Sequence, residues 1–134
     1  MKKGYFAISF ADRGKHTKLI DHLVKHLVGK DIELLVFVDK YHFDDNQESK
    51  MMEIAFKEID NSDFLIAELT HKSIGVGIEI GYAYATQKPI IYIRQKGSKY
   101  STTTAGCAQA VIQYENEKEL TKKVIIAINN IKSV

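Results

Sequence analysis

Short apolar runs without helical period alternate along the chain with longer segments whose apolar positions recur every three or four residues. That alternation predicts βαβ units. Gly4 to Phe10 reads as a first strand. From Lys15 to Val28 the positions Leu19, Ile20, Leu23, Val24, Leu27 and Val28 fall at helical spacing, and Gly29 supplies a stop. Glu33 to Val38 predicts a second strand, Asp39 to Glu48 a polar and aromatic loop, and Lys50 to Asn61 a helix with Met51, Met52, Ala55, Phe56 and Ile59 on one stripe. Asp63 to Leu69 is almost continuously hydrophobic, which predicts a strand buried on both faces. A helix from about Gly77 to Gln87 follows, and the only proline, Pro89, opens a fourth strand through Arg94 at an edge position. Gly97 to Gly106 reads as a loop, Ala110 to Tyr114 as a short strand and Glu117 to Ile131 as a closing helix.

With right-handed crossovers this order gives a flavodoxin/Rossmann-like three-layer α/β sandwich, a parallel sheet of four or five strands covered by helices on both faces. The 134 residues, 45% of them apolar, suffice for one domain spanning 1–134. In such sheets ligands bind beyond the carboxyl ends of the strands. The positions to inspect are therefore Ser9 to Gly14, Val38 to Tyr41, Leu69 to Glu79 and Arg94 to Ser101.

Nineteen basic against seventeen acidic residues, with no long run of one sign, lack the footprint of a nucleic-acid binder. The first apolar run is too short for a signal or membrane segment, so a soluble, cytoplasmic protein is expected. A lone Cys107 fits a reducing compartment and reads as a packing residue. His22 and His26, four apart, have a zinc-compatible spacing but lie on a polar helix face beside Lys18 and Lys25. Neither a metal nor a cofactor is expected.

Candidate chemistry concentrates in Ser73 to Ala85, "SIGVGIEIGYAYA". Gly75, Gly77 and Gly81 are spaced G-x-G-x-x-x-G, which fails the dinucleotide fingerprint, and no Gly-Lys-Ser/Thr follows to make a P-loop. Gly75 and Gly77 offer a sharp turn from strand to helix and free N–H groups for an anion. Glu79, read as lying in the first helical turn, is either an exposed helix-start carboxylate or, with apolar neighbours on all sides, a group facing a cavity or ligand.

The stretch Ser62 to Ile93, "SDFLIAELTHKSIGVGIEIGYAYATQKPIIYI", resembles the core of the nucleoside 2-deoxyribosyltransferase superfamily, and within it the 2'-deoxynucleoside 5'-phosphate N-hydrolases. The resemblance implies that Glu79 is the nucleophile attacking the anomeric carbon, with Tyr5 beside the reacting centre. It implies that Ser9, Ser73 and Ser101, with Arg13 and the glycines Gly75 and Gly77, hold a 5'-phosphate. Ser101 is expected to reach the neighbouring site of a homodimer. The implied reaction splits a (deoxy)nucleoside 5'-monophosphate into free base and sugar 5-phosphate. Base exchange between nucleosides, or a nucleotide-binding module that has lost catalysis, are the alternatives. The chain departs from the family at position 55, where an alanine replaces an aspartate, with Glu58 and Glu53 nearby as possible substitutes. His71 flanks the proposed site, Glu68 is read as structural or catalytic, and Tyr41 and Phe43 either stack on a base or form a cluster of their own.

Overall fold

A computed structural model describes residues 1–131, so the last three positions of the expected 1–134 domain lie outside the described residues. The chain runs β1 (Lys2–Ala7), α1 (Phe10–Arg13), a single 3-10 turn (Gly14–His16), α2 (Thr17–Val28), β2 (Ile32–Val36), α3 (Phe37–Lys40), α4 (Glu48–Asp60), β3 (Phe64–Glu68), α5 (Ile74–Ala85), β4 (Ile90–Gln95), α6 (Thr102–Cys107), β5 (Ala110–Tyr114) and α7 (Glu117–Asn129). The five strands form one all-parallel sheet in the order β2-β1-β3-β4-β5. This is the flavodoxin-like order, with its topological switch point between β1 and β3.

The pleat sends alternate residues to two cores. Phe6, Phe64, Ile66, Ile91 and Ile93 pack under α2 and α7, while Tyr5, Ala7, Leu65, Ala67 and Tyr92 pack under α4 and α5. Every residue of β3 is buried, as its unbroken hydrophobicity requires of a strand covered on both sides. Gly4 is needed for a close approach: the Phe64 ring lies 2.3 Å from where its Cβ would stand.

Local side-chain chemistry moves several boundaries. β1 stops at Ala7 rather than Phe10, because the Ser9 Oγ accepts from the Asp12 N–H at 3.2 Å and starts α1. β2 ends at Val36, and Phe37 to Lys40 turn as a short helix. α5 begins at Ile74, three residues before the expected Gly77, since Ser73 caps it through the Val76 N–H at 3.3 Å. α6 occupies part of the segment read as a loop, capped by Ser101 through the Thr104 N–H at 3.2 Å. β4 is an interior strand, so the edge position expected for Pro89 is corrected. Pro89 sits before the first ladder residue, where its missing N–H removes no bond, and its carbonyl accepts from the Leu65 N–H at 2.9 Å.

Candidate active site

At the switch point the carboxyl end of β1 meets the connection from β3 to α5. On α5 the residues turned toward the sheet are Val76, Glu79, Ile80 and Ala83, a stripe at i, i+3, i+4 and i+7. Glu79 therefore occupies a core position of its helix, only 9% exposed. The fully buried Tyr5 of β1 donates its hydroxyl hydrogen to Glu79 Oε2. The exposed helix-start reading of Glu79 is thus corrected. Being the sixth residue of α5, it also lies beyond the first turn, where the helix dipole acts most strongly.

Burial sets the electrostatics. Loss of water raises the Glu79 pKa from 4.5 to about 7, while the hydrogen bond from Tyr5 pulls it the other way. The Tyr5 phenol is driven well above its ordinary range by burial first, then by the charge and hydrogen bond of Glu79. The result is a carboxylate that titrates near neutrality beside a phenol that keeps its proton.

Glu79 faces a cleft with a cavity volume of about 180 Å³. Ser9, Ser73 and Gly75 line it at the N-termini of α1 and α5, and Phe37, Met51, Met52 and Ala55 supply much of the remaining wall. Ser9 Oγ donates to Asp12 Oδ2 at 3.0 Å, and Asp12 in turn meets Lys15 Nζ at 3.5 Å and His71 Nδ1 at 3.4 Å. His71 thus contacts the capping cluster beside the cleft.

Tyr5, Ser9, Ser73, Gly75 and Glu79 are therefore brought together, and three expected residues stand apart from the cleft wall. Arg13 forms a bidentate pair with Asp39, Nε at 2.8 Å and Nη2 at 2.9 Å. Gly77 is exposed, with open space where a Cβ would be. Ser101 caps α6 and donates its N–H to the Tyr92 hydroxyl at 3.0 Å. The sharp-turn role for Gly75 and Gly77 is also corrected: both lie inside α5, and among the described glycines Gly97 has the left-handed backbone.

Ala55 is buried in the cleft wall, and neither nearby glutamate replaces the missing acid there. Glu53 is exposed. Glu58 is held by Lys40 Nζ at 2.8 Å, the Tyr41 hydroxyl at 2.8 Å and Lys3 Nζ at 3.3 Å. Burial works against the Glu58 charge, but those three donors outweigh it and its pKa falls below the usual value. Tyr41 and Phe43 pack on Phe37 and on each other, with ring centroids 5.1 to 6.0 Å apart, so the private-cluster reading is the one observed. Glu68 accepts from the Thr70 N–H and hydroxyl, each at 2.7 Å, and from Tyr114, tying the ends of β3 and β5 together. Of the apolar wall, Val38 falls within the strand-end positions marked by the sequence, while Met51 and Met52 lie on the helical stripe of α4, whose period does not separate a cleft wall from a core.

The sequence matches the nucleoside 2-deoxyribosyltransferase family over residues 5–126. The chain belongs to this family. Membership makes it an enzyme of the nucleoside 2-deoxyribosyltransferase kind. Solved structures share the family fold. A CMP N-glycosidase from Clostridium botulinum is 24% identical, with a TM-score of 0.71 over 92% of this chain and 99% of that one. A conserved protein from Enterococcus faecalis is 22% identical, with a TM-score of 0.73 over 95% and 99%. A 2-deoxyribosyltransferase from Bacillus psychrosaccharolyticus is 14% identical, with a TM-score of 0.70 over 89% and 90%. A comparison with curated proteins returns no significant match. Among the described residues no helix is long and apolar enough to cross a membrane.

Proposed function

We propose that this family member hydrolyses the N-glycosidic bond of a (deoxy)nucleoside 5'-monophosphate, giving free base and sugar 5-phosphate, with Glu79 as nucleophile. The observation that carries the reading is the position of Glu79: buried, bonded to Tyr5 and open to a cleft at the switch point. Cleavage passes through an oxocarbenium-like state that an adjacent carboxylate stabilises and then traps. Ser9 and Ser73, which line the cleft at two helix N-termini, support a phosphate there once the Ser9 hydroxyl exchanges Asp12 for substrate. Arg13 joins them if it exchanges Asp39 for substrate. The clostridial CMP N-glycosidase is a nucleotide-cleaving relative by its description, which favours a phosphorylated substrate here. Incubation with a panel of nucleotides, read as free base by chromatography, is the test. The reading fails if no nucleotide is cleaved or if Glu79→Gln keeps full rate. Formation of a new nucleoside on adding an acceptor base marks base exchange instead.

The enzyme acts as a homodimer in this reading. The outer face of α5 carries Ile74, Gly77, Ile78, Gly81, Tyr84 and Ala85, all exposed and without a charge. Ile74 is 86% exposed at the cleft end of that helix. Such a face fits a second copy, its glycines permitting close approach. α6 packs beside α5, so Ser101 borders the same surface, which supports a role for it in a partner's cleft. Ile78→Glu is expected to convert a dimer to monomer in sedimentation; a wild type that sediments as a monomer removes this part. A cytoplasmic location, suggested by the free Cys107, is checked by cell fractionation.

A further inference from the structure

The cleft is chemically divided. Among the described residues its hydrogen-bonding side chains are Ser9, Ser73 and Glu79, and the first two cap helices. Phe37, Val38, Met51, Met52 and Ala55 present only hydrocarbon and thioether to the rest of the space. The Tyr5 hydroxyl is engaged with Glu79, and the Glu58 carboxylate, one helical turn from Ala55, is engaged by Lys3, Lys40 and Tyr41. With the polar caps taking the phosphate and Glu79 the anomeric carbon, the surface left for the base is this apolar wall.

We propose that the departing base lies against Phe37, Met51, Met52 and Ala55 and leaves without a proton from any side chain, so that the rate follows the stability of the leaving group. The inference rests on the hydrolase reading and deepens it. In the first step a bond forms between a Glu79 carboxylate oxygen and the anomeric carbon. The carbon–nitrogen bond breaks, its electron pair departs with the base, and solvent supplies the proton that neutralises it. In the second step a water oxygen bonds to the anomeric carbon, the ester bond to Glu79 breaks with its pair returning to the carboxylate, and the water proton passes to solvent.

Two consequences define the substrate class. A hydrocarbon wall distinguishes neighbouring shapes by only about 10- to 200-fold, whereas a wall of hydrogen-bonding groups rejects the wrong partner by about 10⁴-fold or more. The enzyme is therefore a weakly base-selective one, its preferences among purine and pyrimidine 5'-monophosphates staying within about 200-fold. Among them it favours those whose base departs as a weakly basic anion.

The test uses 5-phospho-2-deoxyribosyl derivatives of 4-nitrophenol and of phenol, with release measured in a single turnover. Without a side-chain acid the nitrophenol compound reacts about a thousandfold faster, since the full basicity of the leaving group is felt. A ratio below about a hundredfold overturns the proposal, because a proton donor would then be at work. Ala55→Asp, which places an acid in the wall, is expected to narrow the ratio at least tenfold by accelerating the phenol compound; an unchanged ratio in the folded variant overturns the proposal. Where that variant does not fold, the wild-type ratio carries the test alone. If neither compound loses its phenol while a nucleotide still loses its base, only the inference fails; if no nucleotide loses its base either, the hydrolase reading fails with it. If both react but with the small ratio, only the inference fails.

Discussion

Glu68 at the end of β3 receives three hydrogen bonds, two from Thr70 and one from Tyr114, whereas Glu79 on α5 receives one, from Tyr5. Both side chains are buried to a similar degree, at 3% and 9% exposure. The first has its lone pairs occupied by Thr70, just past the end of its own strand, and by Tyr114 of β5, two strands away. The second keeps its remaining lone pairs directed to a cleft, at the cost of an elevated pKa. Burial is thus alike in the two carboxylates; the count of donors and access to the cleft are what differ.

The largest expected effect is on rate. Glu79→Gln lowers single-turnover base release about a thousandfold or more, because an amide cannot form the glycosyl ester, while Glu68→Gln leaves activity within a few-fold once the protein is folded. Base release by the two purified variants on one nucleotide makes the comparison.

Stability should change in opposite directions. The folded pKa of Glu79, about 7, exceeds its ordinary 4.5, so the wild type is favoured below pH 4.5 and loses that advantage as pH rises through 7. Glu79→Gln removes the dependence and is expected to be more stable than wild type at pH 8 by something on the order of 3 kcal/mol, the gap closing near pH 4. Glu68→Gln instead costs about 1–3 kcal/mol, since its amide hydrogens face groups that now donate to a carboxylate. Urea midpoints at the two pH values check both signs.

A smaller loss, about 1.5 kcal/mol, follows Tyr114→Phe, which takes one donor from Glu68 and leaves the pH profile of catalysis in place. Tyr5→Phe is the counterpart on the other carboxylate. It removes the one hydrogen bond that lowers the Glu79 pKa, so the ascending limb of the pH–rate profile, near pH 7 in wild type, moves to higher pH. A profile unmoved by Tyr5→Phe would break the link between the pair.

The alternating pattern made the layers and element order legible, because burial on two faces leaves a strong mark: Asp63 to Leu69 reads as a central strand from composition alone. Ends of elements were less legible. Ser9, Ser73 and Ser101 each cap a helix through their own Oγ, and a serine carries no hydrophobic period to announce this. α6 escaped notice for the same reason, its sequence TTTAGC having no apolar stripe. At the site, Glu79 and Tyr5 came from family likeness; α5 is apolar on both faces, so spacing alone did not place the glutamate on the buried one. The engagement of Arg13 with Asp39 was not legible, because it joins residues 26 positions apart in two short helices.

The contact between Tyr5 and Glu79 spans 74 positions of chain. Closing so long a loop is entropically unfavourable until β1 is seated against β3 and α5 has docked on the sheet. A chain with β1 detached leaves Glu79 without its Tyr5 partner. Formation of the pair therefore reports the docking of β1, β3 and α5 as one unit.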